Sequence, residues 1–279
     1  MAGALLLVAT PLGNLGDLTL RALEALRTSS AVICEDTRRT QRLLSAYGIR
    51  KPLLSMPAFD EHRRVGPLVA RLVAGERLAL VSDAGSVAIS DPGERLVAAA
   101  LEAGIGVEVL PGPSATVAAL QVSGLPTARF AFAGFLPRKG EARRRSLAEL
   151  GALRFTLVIY ESPRRLPQTL VDLVQAWGDR RAAVVRELTK LHEEIRRGRL
   201  SELAAHFQGE VLGEVTLVVE GASETARVPS EAEIQAAIDG RAEQGLGTRA
   251  LAREVAEELG LPVRQIYQRL IAGKSAARG

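Results

Sequence analysis

The chain has 279 residues, of which 47% are hydrophobic and 24% are charged, a composition typical of a folded globular protein and not of a disordered one. Its 36 Lys and Arg residues against 32 Asp and Glu residues give a net charge of +4, too small by itself to indicate a nucleic-acid-binding protein. A single cysteine, Cys34, excludes an internal disulfide, and the three histidines are too scattered to predict a metal site.

The first apolar run, at residues 5–9, predicts a buried strand. It meets Pro11 and Gly13 well before the roughly 20 residues that a membrane span requires. No positively charged leader precedes it. We therefore expect a cytoplasmic protein that does not interact with membranes.

Short apolar runs alternate with amphipathic segments through the first half of the chain. Strands are predicted at residues 5–9, 31–34, 78–82 and 107–110, and helices at 18–26, 64–74 and 95–103. This alternation predicts a parallel sheet with crossover helices. Beyond Gly124 the strand pattern restarts at residues 130–134, 155–160, 182–186 and 214–220. We therefore predict an N-terminal α/β domain at 1–124 and a second α/β domain at 125–223.

The remaining residues, 224–279, have the pattern of a small all-helical module. Ser230 and Glu233 have the spacing of a capping box, in which each side chain satisfies an amide of the first helical turn. Leu251, Val255 and Leu259 recur every four residues, and Gly260 can end that helix. Three short helices of this kind resemble a helix-turn-helix, but a plain helical bundle is the more common outcome.

Three turns rich in Pro and Gly each follow a predicted strand and precede a predicted helix, at residues 10–17, 82–93 and 111–115. The carboxyl ends of parallel strands share one edge of the sheet, which is where α/β proteins hold small ligands. The turns therefore predict one small-molecule cleft. Gly13 and Gly16 do not have the G-x-G-x-x-G spacing, so a nicotinamide enzyme is disfavoured.

An ordered set of motifs carries a family resemblance. They are VATPLGNLGD at 8–17, EDTRRT at 35–40, DAG at 83–85 with SDPG at 90–93, PGPSA at 111–115, GFLPRK at 134–139, ESPRR at 161–165 and RELTK at 186–190. With these motifs the chain resembles the tetrapyrrole methylase superfamily and, more narrowly, the bacterial 16S rRNA (cytidine) ribose 2'-O-methyltransferase I family. One departure is that Ser86-Val87-Ala88 stands where the family usually has Thr-Pro-Leu, so a proline with a fixed φ is missing.

The resemblance implies a two-domain tetrapyrrole-methylase-like α/β fold, class III among methyltransferases that use S-adenosylmethionine, with the small helical module appended. It implies S-adenosylmethionine as cofactor, the 16S rRNA of the small ribosomal subunit as substrate, a homodimer and no DNA partner. The methylated group would be the ribose 2'-hydroxyl of a cytidine in the decoding centre. Because this cofactor carries its own leaving group, the protein needs neither a nucleophile nor a metal.

Candidate cofactor-binding residues come from the three turns. They are Thr10, Pro11, Asp83, Gly85, Ser86, Ser114 and Ala115. Asp83 is the candidate partner for the polar groups of the cofactor. The resemblance adds Glu161 and Thr216 from the second domain.

A ribose hydroxyl is a poor nucleophile, so its methylation needs proton removal or close alignment. Our candidate acceptor-site residues are Glu35, Asp36 and Arg38, at the end of a predicted strand. The alternative, equally open, is that both carboxylates are solvated and paired with Arg38 and Arg39. Glu161, Lys190 and His62 are further candidates, although the charged surroundings of His62 favour an exposed side chain without a catalytic role.

Substrate RNA requires a cationic surface. The candidate cluster combines five cations in eight residues, namely Arg138, Lys139, Arg143, Arg144 and Arg145. In a chain this rich in arginine, a solvated face is the competing interpretation.

Two other functions remain open at this point. One is a C-methyltransferase acting on a precorrin-like tetrapyrrole, which would share the fold. The other is a nucleic-acid-binding regulator that uses the C-terminal helices, which would leave the large α/β body unexplained.

Overall fold

The computed structural model describes residues 3–223, 231–242, 247–259 and 263–276. The chain divides into two compact units, the first ending at Ala222 and the second beginning at Ser223. Among the described residues, no helix is both long enough and apolar enough to cross a membrane.

The first unit contains two sheets. Its strands are β1 (Ala4–Val8), β2 (Ala31–Cys34), β3 (Leu53–Ser55), β4 (Arg77–Val81), β5 (Gly106–Leu110), β6 (Phe130–Phe135), β7 (Thr156–Glu161), β8 (Arg181–Arg186), β9 (Glu194–Arg199) and β10 (Val215–Val219). Its helices are α1 (Leu20–Thr28), α2 (Thr37–Ala46), α3 (Glu61–Val73), α4 (Glu94–Glu102), α5 (Ala115–Ser123), α6 (Gly140–Gly151), α7 (Leu166–Trp177) and α8 (Leu200–His206). Short 3-10 turns lie at Leu15–Asp17, Ala58–Asp60 and Pro163–Arg165.

The first sheet has the strand order β3-β2-β4-β1-β5 and is parallel throughout. Every residue of β2 is buried, as are all but Arg77 in β4, because helices cover both faces of a parallel sheet. The predicted parallel sheet with crossover helices is therefore confirmed. The three-residue strand β3 was not predicted, since so short an apolar run has no recognisable period.

The second sheet has the order β6-β7-β10-β8-β9 and is mixed. Only β6 and β7 run parallel, and β10 runs antiparallel to both of its neighbours, β7 and β8. As a result the first residue of β10, Val215, lies opposite Glu161 at the end of β7 and Arg186 at the end of β8. The amino end of β10 thus contributes to the same edge of the sheet as the carboxyl ends of its neighbours.

Helix α5 connects the two sheets in sequence and packs against the second one. Its buried residues Ala119 and Leu120 contact a cluster that includes Val158 and Val218. Gly124 ends the helix in a left-handed conformation with φ of 73°, a backbone geometry that favours glycine at a helix C-terminus. The chain then passes directly to β6.

The second unit consists of helices α9 (Glu231–Ala242), α10 (Thr248–Leu259) and α11 (Val263–Ala276). They share an apolar cluster in which Ile234, Leu251, Val255 and Ile266 are buried. The prediction of a helical module is therefore confirmed. The capping-box residue Ser230, the Glu233 and Leu259 side chains and the proposed cap Gly260 lie outside what the structure describes.

Candidate active site

The loops that follow β1 and β4 are joined by a short antiparallel bridge. The Thr10 N–H donates to the Gly85 carbonyl at 2.9 Å, and the Gly85 N–H donates back to the Thr10 carbonyl at 3.0 Å. The buried Thr10 hydroxyl donates to the Ser82 carbonyl at 3.0 Å. These bonds satisfy polar groups that burial would otherwise leave unpaired. They hold the first two predicted turns side by side.

Gly85 and Ser86 bring the third turn to the same place. Gly85 has φ of +83°, and a Cβ there would lie 3.0 Å from Leu12, so the position favours glycine on two grounds. The Ser86 hydroxyl donates to the Pro113 carbonyl at 3.2 Å. All three Pro- and Gly-rich turns therefore meet at the carboxyl edge of the first sheet, as their positions after strands indicate.

The segment from Asp83 to Gly93 is an irregular loop with two non-glycine residues in the left-handed region, Ala88 with φ of 60° and Ser90 with φ of 62°. Such conformations persist only where surrounding contacts hold them. At the far end of the loop, the Glu61 carboxylate accepts from the Gly93 N–H at 3.0 Å and so caps α4. The loop that lacks the expected proline is thus held by side-chain contacts.

The second sheet supplies the opposite wall. Tyr160, near the end of β7, shares a hydrogen bond of 2.9 Å with the Thr116 hydroxyl of α5. Phe132 and Phe135 contact the Tyr160 ring edge-on, with ring centroids 4.8 and 5.7 Å away. Burial raises the pKa of Tyr160 above its ordinary value. The tyrosine is therefore a fixed, neutral hydroxyl in the wall.

Between these walls lies a cavity of about 390 Å³, within the usual range of small-molecule sites. Its apolar lining includes Leu12, Ile89, Val185 and Leu188. Its polar lining includes Asp83, Ser86, Asp91, Glu214 and Thr216. An apolar cavity with a few converging polar groups is the usual composition of a ligand site.

The cavity is acidic. Burial raises the pKa of the Asp83 carboxyl, and the nearby carboxylates of Asp36 and Glu214 add to the rise against the opposing effects of the Asp36 N–H and Arg39. Burial likewise raises the pKa of Asp91, and Asp83 and Glu214 contribute, although the Ser82 hydroxyl donates to it. Partly buried carboxylates that repel one another favour a cation between them. The cavity therefore suits a positively charged ligand.

A network of charged side chains contacts two carboxylates of the cavity lining, Asp83 and Glu214. The Arg39 guanidinium lies 3.6 Å from the Asp83 carboxylate and 3.7 Å from that of Glu214. The Lys190 ammonium lies 3.1 Å from Glu214 and 2.7 Å from Glu187. Burial lowers the pKa of Lys190, but these two carboxylates outweigh it and keep the pKa above its ordinary value. The network joins the loops of the two sheets.

Not every predicted cofactor residue faces the cavity. Asp83, Ser86, Ala115, Glu161 and Thr216 line it. Thr10 and Gly85 support the loops, while Pro11 and Ser114 adjoin lining residues without lining it themselves.

The Glu161 carboxylate is fully buried and already occupied. It accepts from the Ser162 N–H and the Thr169 hydroxyl, both at 2.7 Å, and pairs with Arg165 at 3.2 Å. Its carboxylate therefore links β7 to the start of α7 and is not available to a ligand.

The three candidate acceptor-site residues differ in their surroundings. Asp36 caps α2, accepting from the Arg38 N–H at 2.8 Å and pairing with the Arg38 guanidinium at 3.3 Å, and these hydrogen bonds lower its pKa. This geometry matches the alternative in which the carboxylate pairs with Arg38. Glu35 instead has a raised pKa, caused by burial and then by Asp83 and Asp91. The Arg38 side chain is 86% exposed.

The predicted RNA-binding cluster divides into two kinds of arginine. Arg138, Lys139, Arg144 and Arg145 are exposed. Arg143 is buried, with its guanidinium bonded to Asp172 at 2.8 Å, to the Pro137 carbonyl at 3.0 Å and to Thr169 at 3.0 Å. The assignment of Arg143 to an RNA-contacting surface is corrected on this point, because its donors are directed into the packing of α6 against α7.

Sequence reasoning missed the cavity-lining residues Asp91, Glu214 and Tyr160, and also Arg39, which contacts the lining residue Asp83. Asp91 lies in the SDPG motif at 90–93, and its position in the turn after β4 was a usable signal. Glu214 precedes a strand rather than following one, so the rule of carboxyl ends does not point to it. His62 is exposed, as its surroundings indicate.

The fold and the cavity together define a methyltransferase of the tetrapyrrole methylase class. The family model described as Tetrapyrrole (Corrin/Porphyrin) Methylases matches residues 4–204. Among solved structures, uroporphyrin-III C-methyltransferase from Thermus thermophilus in complex with S-adenosyl homocysteine has a TM-score of 0.58 at 21% identity, covering 78% of this chain and 97% of that one. Diphthine synthase has a TM-score of 0.62 at 17% identity, covering 78% and 90%. These two likenesses show the fold alone.

Curated relatives narrow the class. Ribosomal RNA small subunit methyltransferase I of Mycobacterium tuberculosis is 46% identical over 282 aligned positions that cover 100% of this chain and 98% of the relative. The protein of the same name from Thermotoga maritima is 47% identical over 220 positions, covering 78% of this chain and 99% of the relative. The chain belongs to this family of ribosomal RNA small subunit methyltransferases within the tetrapyrrole methylases, and it is an enzyme of the methyltransferase type.

Proposed function

We propose that this enzyme transfers a methyl group from S-adenosylmethionine to the ribose 2'-hydroxyl of a decoding-centre cytidine in the 16S rRNA of the small ribosomal subunit. The observation that carries the proposal is the acidic cavity at the joined strand ends, in a chain that belongs to a family of small-subunit rRNA methyltransferases. Such an enzyme acts where ribosomal subunits are assembled, in the cytoplasm.

The residues of the cavity fit this cofactor. S-adenosylmethionine combines a sulfonium, an ammonium and a carboxylate, so its net charge is positive, and when bound it supplies a methyl group on an atom that leaves as a neutral thioether. Asp83, Asp91 and Glu214 supply the complementary negative charge. Leu12, Ile89 and Leu188 supply apolar surface for an adenosine group. The protein's contribution is binding, orientation and exclusion of water.

We propose that residues 35–38 form the site of the acceptor ribose and that Glu35, Asp36 and Arg38 have separate roles in it. Glu35 would take up the proton of the ribose hydroxyl, because a carboxyl group with a raised pKa is a better base near neutral pH than an ordinary one. Arg38, with its largely exposed side chain, would contact the substrate, and Asp36 would hold the start of α2. Glu35 would thus hold the proton that the ribose hydroxyl gives up when it takes a methyl group from the bound cofactor.

The role of Glu35 is tested by Glu35→Gln. We expect a single-turnover methylation rate at least about tenfold below that of the unchanged enzyme, because general-base contributions are typically hundredfold or more when a side chain alone accepts the proton. Calorimetry of S-adenosylmethionine binding serves as the control and should give an unchanged affinity. A full methylation rate in Glu35→Gln would remove Glu35 from the reaction.

For RNA phosphates we propose the exposed cations that follow β6 and β7, namely Arg138, Lys139 and Arg164. They lie a few residues beyond the cavity-lining residues Phe135 and Pro163. Each phosphate contact that is lost should lower the slope of log affinity against log salt concentration by about one. Arg138→Ser with Lys139→Ser should therefore flatten the salt dependence of binding to small subunits. Arg154→Ser, in the turn before β7, is the matched control.

The resemblance also implies a homodimer. The edge strand β5 has one neighbour in its sheet, β1, and leaves Val109 57% exposed, and we propose that a second copy packs against this edge. Light scattering during gel filtration checks this, and a monomer mass at working concentration would contradict it.

The function is tested by offering labelled S-adenosylmethionine together with small ribosomal subunits that lack the modification, with free 16S rRNA, or with a uroporphyrinogen-type tetrapyrrole. We expect label in the subunit RNA, recovered as 2'-O-methylcytidine after nuclease digestion. Label in the tetrapyrrole would favour a C-methyltransferase. Binding of RNA without any transfer of label would favour a nucleic-acid-binding regulator.

A further inference from the structure

Arg39 occupies an unusual position for an exposed arginine, because it contacts acidic cavity residues from both halves of the first unit. Asp83 follows β4 of the first sheet and Glu214 precedes β10 of the second. The Arg39 guanidinium lies 3.6 and 3.7 Å from their carboxylates, beyond hydrogen-bond distance in both cases. It is held there by charge, without the directional bonds that fix Arg143 or Arg165.

The same two carboxylates line the cavity in which we propose that a cationic cofactor binds. A positive charge in the cavity competes with Arg39 for them, since each carboxylate that is neutralised from within attracts the guanidinium less. Lys190 also contacts Glu214, at 3.1 Å, which further reduces the hold of Glu214 on Arg39. The charge of the cofactor therefore weakens the hold of Asp83 and Glu214 on Arg39, because both cations pair with these two carboxylates.

A second position is open to the Arg39 side chain, on the exposed surface of α2. Its side chain is 57% exposed, and its neighbours on α2, Arg38 and Arg42, are exposed as well. Arg42 lies three residues after Arg39 and four after Arg38, and residues three and four positions apart are neighbours on a helical surface, so Arg42 is close to both. An arginine that leaves Asp83 and Glu214 joins two other guanidinium groups, an arrangement that RNA phosphate stabilises and that repels itself otherwise.

We propose that Arg39 couples the two substrates. It pairs with Asp83 and Glu214 until a positively charged cofactor takes over these carboxylates, and it then binds an RNA phosphate beside Arg38 and Arg42. Methyl transfer removes the positive charge from the cofactor, so the carboxylates attract Arg39 again and methylated RNA is released. This inference rests on the proposed function and adds an order to it: RNA binds tightly only to the enzyme loaded with charged cofactor.

Two unreactive ligands separate charge from shape. Sinefungin carries an amine in place of the sulfonium and is cationic, whereas S-adenosylhomocysteine has nearly the same shape without that charge. We would measure the affinity of unmethylated small ribosomal subunits for the full-length enzyme by filter binding, with each ligand at saturation and without ligand. We expect sinefungin to tighten RNA binding by about fivefold, the lower end of ordinary coupling between sites, and S-adenosylhomocysteine to leave it within twofold.

Variants of Arg39 and Arg42 show which residue makes RNA affinity depend on the bound cofactor analogue. In Arg39→Gln the effect of sinefungin on RNA affinity should disappear, and the affinity for sinefungin without RNA should rise, because its competitor is gone. Arg42→Gln is the matched control from the same helix; it should weaken RNA binding with and without sinefungin alike and keep the fivefold ratio. Arg39→Lys, which retains the charge, should keep most of the ratio.

The outcomes distinguish this inference from the proposed function. If sinefungin and RNA both bind and their coupling is the same in Arg39→Gln as in the unchanged enzyme, the role of Arg39 is overturned while the proposed function stands. An equal effect of S-adenosylhomocysteine and sinefungin would also overturn it, because the mechanism depends on charge. If no cofactor analogue binds at all, the proposed function itself fails.

Discussion

Ionisation of the Asp91 carboxyl group is unfavourable in the folded protein. Burial raises its pKa, and Asp83 and Glu214 repel its ionised form. A carboxyl group whose pKa is higher in the folded than in the unfolded state contributes stability below the unfolded pKa and loses that contribution as pH rises through the folded pKa. Ionisation of Asp91 therefore costs the fold stability, as is common for a carboxylate in a ligand site.

We predict that Asp91→Asn does not lower the urea midpoint of unfolding at pH 7, because the amide keeps an oxygen for the Ser82 hydroxyl and loses the unfavourable charge. Asp36→Ala provides the contrast. Its carboxylate caps α2 and has a lowered pKa, so its removal should lower the midpoint. A clear loss of stability in Asp91→Asn would show that the charge is structural.

The same carboxyl groups give cofactor binding a characteristic pH dependence. Because the pKa values of Asp83 and Asp91 are raised, these groups take up protons at higher pH than exposed aspartates do. We predict that the affinity for S-adenosylmethionine falls as pH is lowered through these raised values, since the cation loses its partners. Titration of S-adenosylhomocysteine should show a weaker dependence, and identical profiles for the two ligands would contradict an electrostatic role.

At the scale of elements, Arg143 joins α6 to α7. Its side chain is 10% exposed, and its guanidinium bonds to Asp172, Thr169 and the Pro137 carbonyl. Removing one partner of a buried ion pair leaves the other uncompensated, which typically costs about 3 kcal/mol. We predict such a loss in the free energy of unfolding for Arg143→Met, measured by urea denaturation.

The neighbouring arginine on the same helix is the control for that prediction. Arg145 is largely exposed and lies 3.8 Å from Glu149, so Arg145→Met should change the free energy of unfolding by no more than about 0.5 kcal/mol. Equal effects at the two positions would mean that the Arg143 network does not stabilise the fold.

How far the sequence predicts the site depends on strand direction. The turns after β1, β4 and β5 were predictable, because parallel strands end at one edge and their loops must meet there. The position of Glu214 was not predictable, because β10 is antiparallel to its neighbours and brings its amino end to that edge. Pairing direction is set by tertiary packing, and no local pattern in residues 214–220 records it.

Two other features, strand β9 and the buried Arg143, were not predicted from the sequence because their residues are polar. Strand β9 lies at the edge of its sheet and consists largely of charged residues, so no apolar alternation marks it. Arg143 was grouped with its cationic neighbours, although it lies four residues before the buried Leu147 and so on the inward face of α6. That spacing was a usable signal, but which partner an inward arginine finds depends on α7, a distant part of the chain.

At the scale of the whole molecule, the first unit contains every residue that lines the cavity, from Leu12 to Thr216. The Thermotoga maritima relative matches 220 positions of this chain over 99% of its own length, about the length of this unit. We predict that a chain ending at Ala222 folds cooperatively and binds S-adenosylmethionine within twofold of the full-length affinity. Loss of binding in this shortened chain, while it remains folded by circular dichroism, would assign the helical module a part in the site.

The acidic cavity is the place where we propose that a charged methyl donor binds. Isothermal titration calorimetry of S-adenosylmethionine with the full-length enzyme and with Asp83→Asn/Asp91→Asn tests this most directly, with the exposed-site variant Glu102→Gln as control. We expect one site per chain, an affinity reduced by at least about tenfold in the double variant, equivalent to about 1.4 kcal/mol, and no change in the control. Undiminished affinity in the folded double variant would show that the charged donor does not bind at these carboxylates.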